Sequence, residues 1–335
     1  MSDLPGIPLL DTIAYLQAEA RQLVAQRQPL PDDERAIRER CARFREVLAQ
    51  LLGPAPRQPA ELDPQVVSCE ELEDRIMVEK VYFTSSACGR IPAMVVRPAE
   101  PEGRRPAVVV VHGWGQNRFS ISPYRIALAR AGYVTIQIDN PFAGEHQTRI
   151  ANGDEYQYGS LPLATCLGWS MMGMGVWDIR RAADYLQTRA DVDPDRIAIS
   201  GLCWGAMQTW VAAALDERFK VVIPVCGTST YEALVLEYAT YARHTCLGTY
   251  IPGILRHGDF QDIAACCAPR PVLVLSNVND DWFPISGFTK LTAEMRTVYR
   301  ALGAQERFRA VLRDTVHDVT PEFAAQAAEW LDRYL

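Results

Sequence analysis

Apolar positions along this chain follow two rhythms. Leu9, Ile13, Leu16, Ala20, Leu23 and Val24 fall at helical spacing across residues 9–28. A second such stripe, Ile37, Cys41, Phe44, Val47, Leu48 and Leu51, begins after Asp32-Asp33-Glu34 and stops at Gly53-Pro54-Ala55-Pro56. Carboxylates suit a helix N-terminus, where unpaired N–H groups and the helix dipole favour negative charge, and a Gly-Pro step ends a helix. From residue 75 the rhythm changes to short β-branched runs separated by helix-length amphipathic stretches. Arg75–Phe83 and Ile91–Arg97 predict a hairpin across Ser85-Ser86-Ala87-Cys88-Gly89. Ala107–Val111 is apolar throughout, which suits a strand buried on both faces. Further strands are predicted at Val134–Ile138, from Ile197, and at Lys220–Val225, Val272–Ser276 and Arg307–Leu312. The intervening helices are expected over Pro123–Ala131, Ser170–Thr188, from Cys203 to Leu215, over Ser286–Leu302 and over Pro321–Leu335.

Strands alternating with helices imply an α/β chain whose mostly parallel sheet is covered by helices on both faces. Residues 1–75 read as an N-terminal helical extension and 76–335 as the main domain. The extension is expected to pack on that domain or to form a subunit contact, giving a homodimer through the N-terminal helices. Residues 228–268, with their tyrosines and Pro252, interrupt the alternation and predict an inserted lid or pocket wall. The polar stretch 143–162 resembles an active-site loop.

Chemistry concentrates around Ile197–Met207. A β-branched run ends abruptly in Gly201-Leu202-Cys203-Trp204-Gly205, and a helix-forming segment follows at once. A sharp turn would hold Cys203 in a strained backbone conformation, with glycines two positions either side because larger side chains would clash. At a helix N-terminus, free N–H groups and the dipole favour a thiolate and a developing oxyanion. A nucleophile also needs a base, and the base a group that orients it. Downstream, the strand ending at Ser276 leads into Asn277-Val278-Asn279-Asp280-Asp281-Trp282-Phe283-Pro284, and the last strand leads into Asp314-Thr315-Val316-His317-Asp318. Both stretches follow the C-terminal ends of strands, the edge at which open α/β sheets carry their sites. His317 is the candidate base, and Asp280 or its neighbour Asp281 the orienting acid.

These residues resemble the dienelactone hydrolase and acetyl xylan esterase-like branch of the α/β-hydrolases, from about residue 76 to Leu335. The likeness is carried by His112-Gly113-Trp114-Gly115, Val176-Trp177-Asp178, Val192-Asp193, Ala268-Pro269-Arg270-Pro271 and Phe283-Pro284. His317 with Thr320-Pro321-Glu322, and the ending Trp330-Leu331-Asp332-Arg333-Tyr334-Leu335, complete it. The resemblance implies the α/β-hydrolase fold and a triad in the chain order nucleophile, acid, histidine. It selects Asp280, because the family's acid lies four residues before the proline of its Phe-Pro pair. Most esterase-like members carry serine as nucleophile and dienelactone hydrolases carry cysteine, so Cys203 departs from the former. The oxyanion hole would use the backbone N–H of Trp204 and one from the His112–Gly115 loop, that of Trp114.

Composition narrows the partners. A formal net charge of −7 disfavours nucleic acid or an anionic membrane. No stretch is long and apolar enough to span a bilayer, and Met1-Ser2-Asp3-Leu4-Pro5 lacks the regions of a signal peptide. Nine irregularly spaced cysteines with no Cys-x-x-Cys pair argue for reduced thiols in a cytoplasm. Cys41, Cys166 and Cys226 read as small buried hydrophobes, and the adjacent Cys266-Cys267 suit neither an ordinary disulfide nor a zinc site. His146, His244 and His257 share no metal-ligand spacing, so neither metal nor cofactor is expected. His112 reads as a loop-shaping residue. Trp114, Trp204 and Trp282 flank the proposed catalytic elements and either pack the loop bases or line a pocket for a bulky group. Tyr156, Tyr158 and Trp169 are further candidates for that wall.

A sulfur nucleophile constrains the reaction. His317 would take the thiol proton, Asp280 would hold the imidazole, and attack on a carbonyl would give an acyl-enzyme. Thiolate is also a good leaving group, so a tetrahedral intermediate bearing an ordinary alkoxide collapses back to substrate. Enol esters, strained lactones, activated esters and thioesters are therefore the expected small-molecule substrates. An acyltransferase, in which an amine, alcohol or thiol outcompetes water, and a non-catalytic binding protein are the alternatives.

Overall fold

The computed structural model describes residues 11–54, 60–86, 89–100, 103–141, 143–146, 148–149, 155–156, 161–237 and 246–335. Two helices open the chain, α1 (Thr12–Gln26) and α2 (Glu34–Leu52). Three strands follow, β1 (Gln65–Leu72), β2 (Ile76–Ser86) and β3 (Gly89–Pro98), and then β4 (Arg105–Val111), α3 (Ser122–Arg130) and β5 (Val134–Ile138). The next stretch holds the two-residue strands β6 (Thr148–Arg149) and β7 (Glu155–Tyr156) and the short helix α4 (Leu161–Cys166). The order then runs α5 (Met171–Thr188), β8 (Val192–Leu202), α6 (Trp204–Leu215), β9 (Phe219–Val225), α7 (Tyr231–Leu236) and α8 (Phe260–Ala265). It closes with β10 (Val272–Asn277), α9 (Ile285–Ala301), β11 (Phe308–Arg313) and α10 (Pro321–Tyr334).

A nine-stranded sheet runs in the order β1-β2-β3-β5-β4-β8-β9-β10-β11. The β1-β2-β3 ribbon is antiparallel and meets β5 antiparallel, and every pairing from β5 to β11 is parallel. Ala107–Val111 of β4 is fully buried, as its unbroken apolar run requires, because helices cover both sheet faces. One core cluster joins α2, α5, α6, α8 and α9 to one face, and a second joins α3 and α10 to the other.

The N-terminal segment differs from a purely helical extension in two respects. β1, within residues 1–75, is a strand that forms the sheet's edge. Its side chains are almost all exposed, Val66 and Val67 included, so backbone pairing with β2 holds it and no apolar alternation marks it. α2 is part of the core. Asp33 caps its N-terminus by accepting from the Ala36 N–H at 2.9 Å. Its buried stripe of Ile37, Cys41, Phe44, Leu48 and Leu52 packs against the main domain. The Leu52 carbonyl accepts from the Ser170 N–H at 3.0 Å, tying the end of α2 to the start of α5. α1 leaves Ile13, Tyr15 and Leu16 exposed, which confines any apolar subunit contact through these helices to α1.

The described part of 228–268 is built into the same core. Tyr231, Leu234, Ile251, Ile254, Phe260 and Ile263 are all buried there. Buried Asp259 accepts from the N–H groups of Tyr231 and Phe260 at 2.7 and 2.6 Å, linking α7 to α8, and burial pushes its carboxyl up to about 6.

Candidate active site

β8 ends at Leu202 and α6 begins at Trp204, leaving Cys203 alone at the turn with φ 58° and ψ −120°. Such a backbone is costly for a side chain larger than hydrogen and persists only where the surroundings hold it. The Cys203 N–H donates to Val225 O at 2.9 Å, and its carbonyl accepts from Ala206 and Met207. The flanking glycines are steric requirements. A Cβ on Gly201 would sit 2.4 Å from Gly205 O, and one on Gly205 would sit 2.3 Å from Val111 O. β8, α6 and the end of β4 therefore close on the turn with no room for a methyl group.

Past the end of β10, Asp280 is buried. Its Oδ1 accepts from the N–H groups of Trp282 and Phe283 at 2.8 and 3.1 Å, and its Oδ2 accepts from His317 Nδ1 at 2.7 Å. His317 follows β11, and its imidazole is packed by Phe283, stacked at 6.0 Å, and Trp282 at 5.9 Å. Burial opposes the imidazolium, but hydrogen bonds to Asp280 and Cys203 outweigh it, and the His317 pKa is raised to about 10. His317 thus stands between Asp280, to which it is hydrogen-bonded, and half-buried Cys203, which helps to raise its pKa.

The loop after β4 faces the same sulfur. A Cβ on Gly113 would lie 3.2 Å from Cys203 Cβ. The Gly113 N–H donates to Gln116 Oε1 at 2.9 Å, so that amide is committed within the loop. His112 is buried, with Nδ1 on Gly113 O at 2.8 Å and Nε2 accepting from the Asn140 N–H at 3.1 Å. Burial pushes its pKa down, so it is a neutral loop strut with both nitrogens engaged.

The aromatic candidates divide. Trp204 is only 2% exposed and meets Trp114 edge-on at 5.2 Å. A Cβ on Gly248 would come within 2.7 Å of the Trp204 indole, so residues 247–249 pack directly on it. Trp114, against Trp204, and Trp282, against the His317 imidazole, are half-buried. Trp169 is elsewhere, in a groove with Gly53, Pro54, Trp177 and Arg180 between α2 and α5. Tyr156 lies in β7, but its side chain and all of Tyr158 fall outside the described residues, as does most of 143–162.

Three positioning residues escaped the sequence reading. Asn277, the last residue of β10, donates from Nδ2 to the carbonyls of Val316 and Asp318 at 2.6 and 3.1 Å, gripping the chain on either side of His317. Arg118 and Asp139, both buried, pair below the β4 loop, and Asp139 also accepts from the Arg118 N–H at 2.7 Å. A polar side chain ending an apolar strand was the available signal for Asn277; nothing local marks Arg118. Among the described residues, no three His, Cys, Asp or Glu side chains group as metal ligands.

A parallel sheet with a strained nucleophile turn and a histidine–carboxylate pair on the loops of later strands is the architecture of an α/β-hydrolase. The chain belongs to the Abhydrolase family, whose model matches residues 46–295. YtaP of Bacillus subtilis (strain 168), named as a hydrolase, is 29% identical over 308 residues, covering 88% of this chain and 99% of that protein. The 4-O-methyl-glucuronoyl methylesterase 1 of Wolfiporia cocos (strain MD-104) is 28% identical over 158 residues, 40% of this chain and 38% of the relative. A glucuronoyl esterase from Solibacter usitatus superposes with a TM-score of 0.69 at 19% identity, over 91% of this chain and 94% of that one. An acetyl xylan esterase from Paenibacillus sp. R4 gives 0.61 at 19% identity, over 94% and 99%. At such identities the structural likeness speaks for the fold alone.

Proposed function

We propose that the protein hydrolyses carboxylic esters through a cysteinyl acyl-enzyme, with Cys203 as nucleophile, His317 as acid and base, and Asp280 as the group that orients His317. One observation carries this reading: His317, held by Asp280 at 2.7 Å, has its pKa raised by a cysteine that sits at a strained turn. An imidazolium beside a sulfur favours the thiolate, and the N–H groups of the first turn of α6 have no intrahelical acceptor. The thiolate attacks the carbonyl carbon, and the oxyanion is held by the N–H groups of Trp204 and Trp114. His317 Nε2 gives its proton to the departing alkoxide, leaving a thioester on Cys203. It then takes a proton from water, whose oxygen attacks the thioester and releases the acid and the thiolate.

A sequence relative named as a methylesterase supports a carboxylic ester as the bond cleaved. Sulfur in place of oxygen, a feature shared with dienelactone hydrolases, supports enol esters, lactones, activated esters and thioesters over simple alkyl esters. Intact-mass spectrometry across a panel of these and of acetylated sugars tests the reading. A mass increase equal to the acyl group is expected on Cys203, absent in Cys203→Ala, which also loses turnover. Retained turnover in Cys203→Ala, or equal rates on alkyl and enol esters, would refute it. Acyl transfer to an added amine or thiol in preference to water would reassign the enzyme as an acyltransferase.

A further inference from the structure

Cys41 and Cys266 lie 225 positions apart, on α2 and at the C-terminal cap of α8, yet they meet in the core. The Cys266 S–H donates to the Cys41 carbonyl at 3.6 Å, which brings the Cys266 sulfur against Cys41, and the two thiols perturb one another's pKa. Cys267 turns the other way, towards the Trp210 carbonyl at 3.6 Å. The thiol partner of Cys266 is therefore across the helix interface and not beside it in the chain.

The surroundings of Cys41 add a second observation. Its side chain lines a surface cleft of about 420 Å³ that contains Arg38, Arg45, Lys220 and Arg270 and a single carboxylate, Glu217. Arg45 spends its N–H groups on the carbonyls of Ala214 and Cys266, at 2.9 and 2.7 Å. Arg270 does the same with the carbonyls of Cys267, Asp216, Phe219 and Ala213. Neutral carbonyls satisfy these guanidinium groups without cancelling their charge, so the cleft is electropositive, the setting in which a thiol becomes reactive. The neighbouring Cys266 thiol lowers the Cys41 pKa against burial, Arg45 and Arg40 add to that lowering, and Asp262 opposes it.

We propose that Cys41 and Cys266 form a peroxide-reactive dithiol, in which Cys41 attacks a hydroperoxide entering the cleft and Cys266 resolves the product into a disulfide joining α2 to α8. In the first step the Cys41 thiolate attacks one peroxide oxygen: an S–O bond forms, the O–O bond breaks, and hydroxide leaves to become water. In the second, Cys266 sulfur attacks the sulfenic sulfur: an S–S bond forms, the S–O bond breaks, and hydroxide leaves with the Cys266 proton as a second water. Two thiols lose two electrons in all, and one hydrogen peroxide becomes two waters. The site is independent of the reaction at Cys203.

The test uses the full chain carrying Cys203→Ala, so that the proposed nucleophile does not consume oxidant. After stoichiometric hydrogen peroxide, non-reducing peptide mapping should recover Cys41 linked to Cys266, while exposed Cys69 and Cys166 keep free thiols. With Cys266→Ser added, dimedone should label Cys41 as its sulfenic acid. The cross-link closes a long loop in the unfolded chain, so it should raise Tm by about 3 °C or more, reversibly with dithiothreitol. One equivalent of phenylarsine oxide, which bridges paired thiols, should bind and be lost with Cys41→Ala. Oxidation of Cys69 or Cys166 ahead of Cys41, recovery of Cys266 linked to Cys267, or arsenical binding that survives Cys41→Ala would overturn the proposal.

Discussion

Replacing Asp280 by asparagine tests the relay at its buried end. The variant keeps the shape of the side chain, and its remaining oxygen still accepts from the N–H groups of Trp282 and Phe283. The other position becomes an NH2 group facing His317 Nδ1, which now lies 2.7 Å from a donor and not an acceptor. His317 must then turn away or take the tautomer with its proton on Nε2, where it cannot accept a proton from sulfur or water. A lost charge-assisted bond is worth about 1.5–3 kcal/mol, and an unsatisfied buried donor costs about 1–3 kcal/mol more. Together these amount to roughly 3–6 kcal/mol, or about 10²–10⁴ in rate. Loss of the carboxylate also removes the first of the interactions that raise the His317 pKa, so the imidazolium weakens at neutral pH. The assay is kcat/KM on an activated aryl ester, with iodoacetamide alkylation of Cys203 at neutral pH as a second readout and Tm as the folding control. Both rates should fall in Asp280→Asn, while Asp281→Asn should stay within about threefold, as for a surface change. Loss of activity in Asp281→Asn with retention in Asp280→Asn would refute the assignment.

Gly205→Ala forces a methyl to within 2.3 Å of Val111 O, so activity should fall and Tm should drop by several degrees; an unchanged enzyme would show that the turn is looser than described. Leu48→Ala opens the core on α2 and should cost about 2–5 kcal/mol in urea unfolding, whereas Leu16→Ala, 55% exposed on α1, should change it by under about 0.5 kcal/mol. The raised His317 pKa favours the folded state. That contribution is complete below the ordinary imidazole value of 6.5 and is lost as pH rises through about 10. The urea midpoint of the natural protein should therefore fall between pH 7 and 10 by more than that of His317→Gln, and parallel curves would show that His317 does not titrate there.

Much of the architecture was legible because it rests on local patterns. Apolar spacing located α2, α5, α9 and α10 to within a residue or two, and the unbroken run Ala107–Val111 marked a central strand. Glycines at 201 and 205 announced the turn because backbone packs where their side chains would be. β1 was illegible for the opposite reason: an edge strand held by backbone hydrogen bonds leaves no side-chain rhythm to read. The contribution of 228–268 to the core was not legible, since six buried residues spread over short helical turns and the links between them show no period long enough to detect.

Residue types along the chain are sufficient for a nucleophile, a base and two candidate acids on the correct sheet edge, because strand ends and turns are set by neighbours in sequence. Which acid meets the base is not such a property. Asp280 and Asp281 are adjacent and chemically alike, and only the fold around Trp282 and Phe283 turns the first towards His317. The grip of Asn277 on the His317 loop and the meeting of Cys41 with Cys266 are likewise contacts between segments. Such contacts depend on how elements pack after they form, and no window of sequence contains both partners.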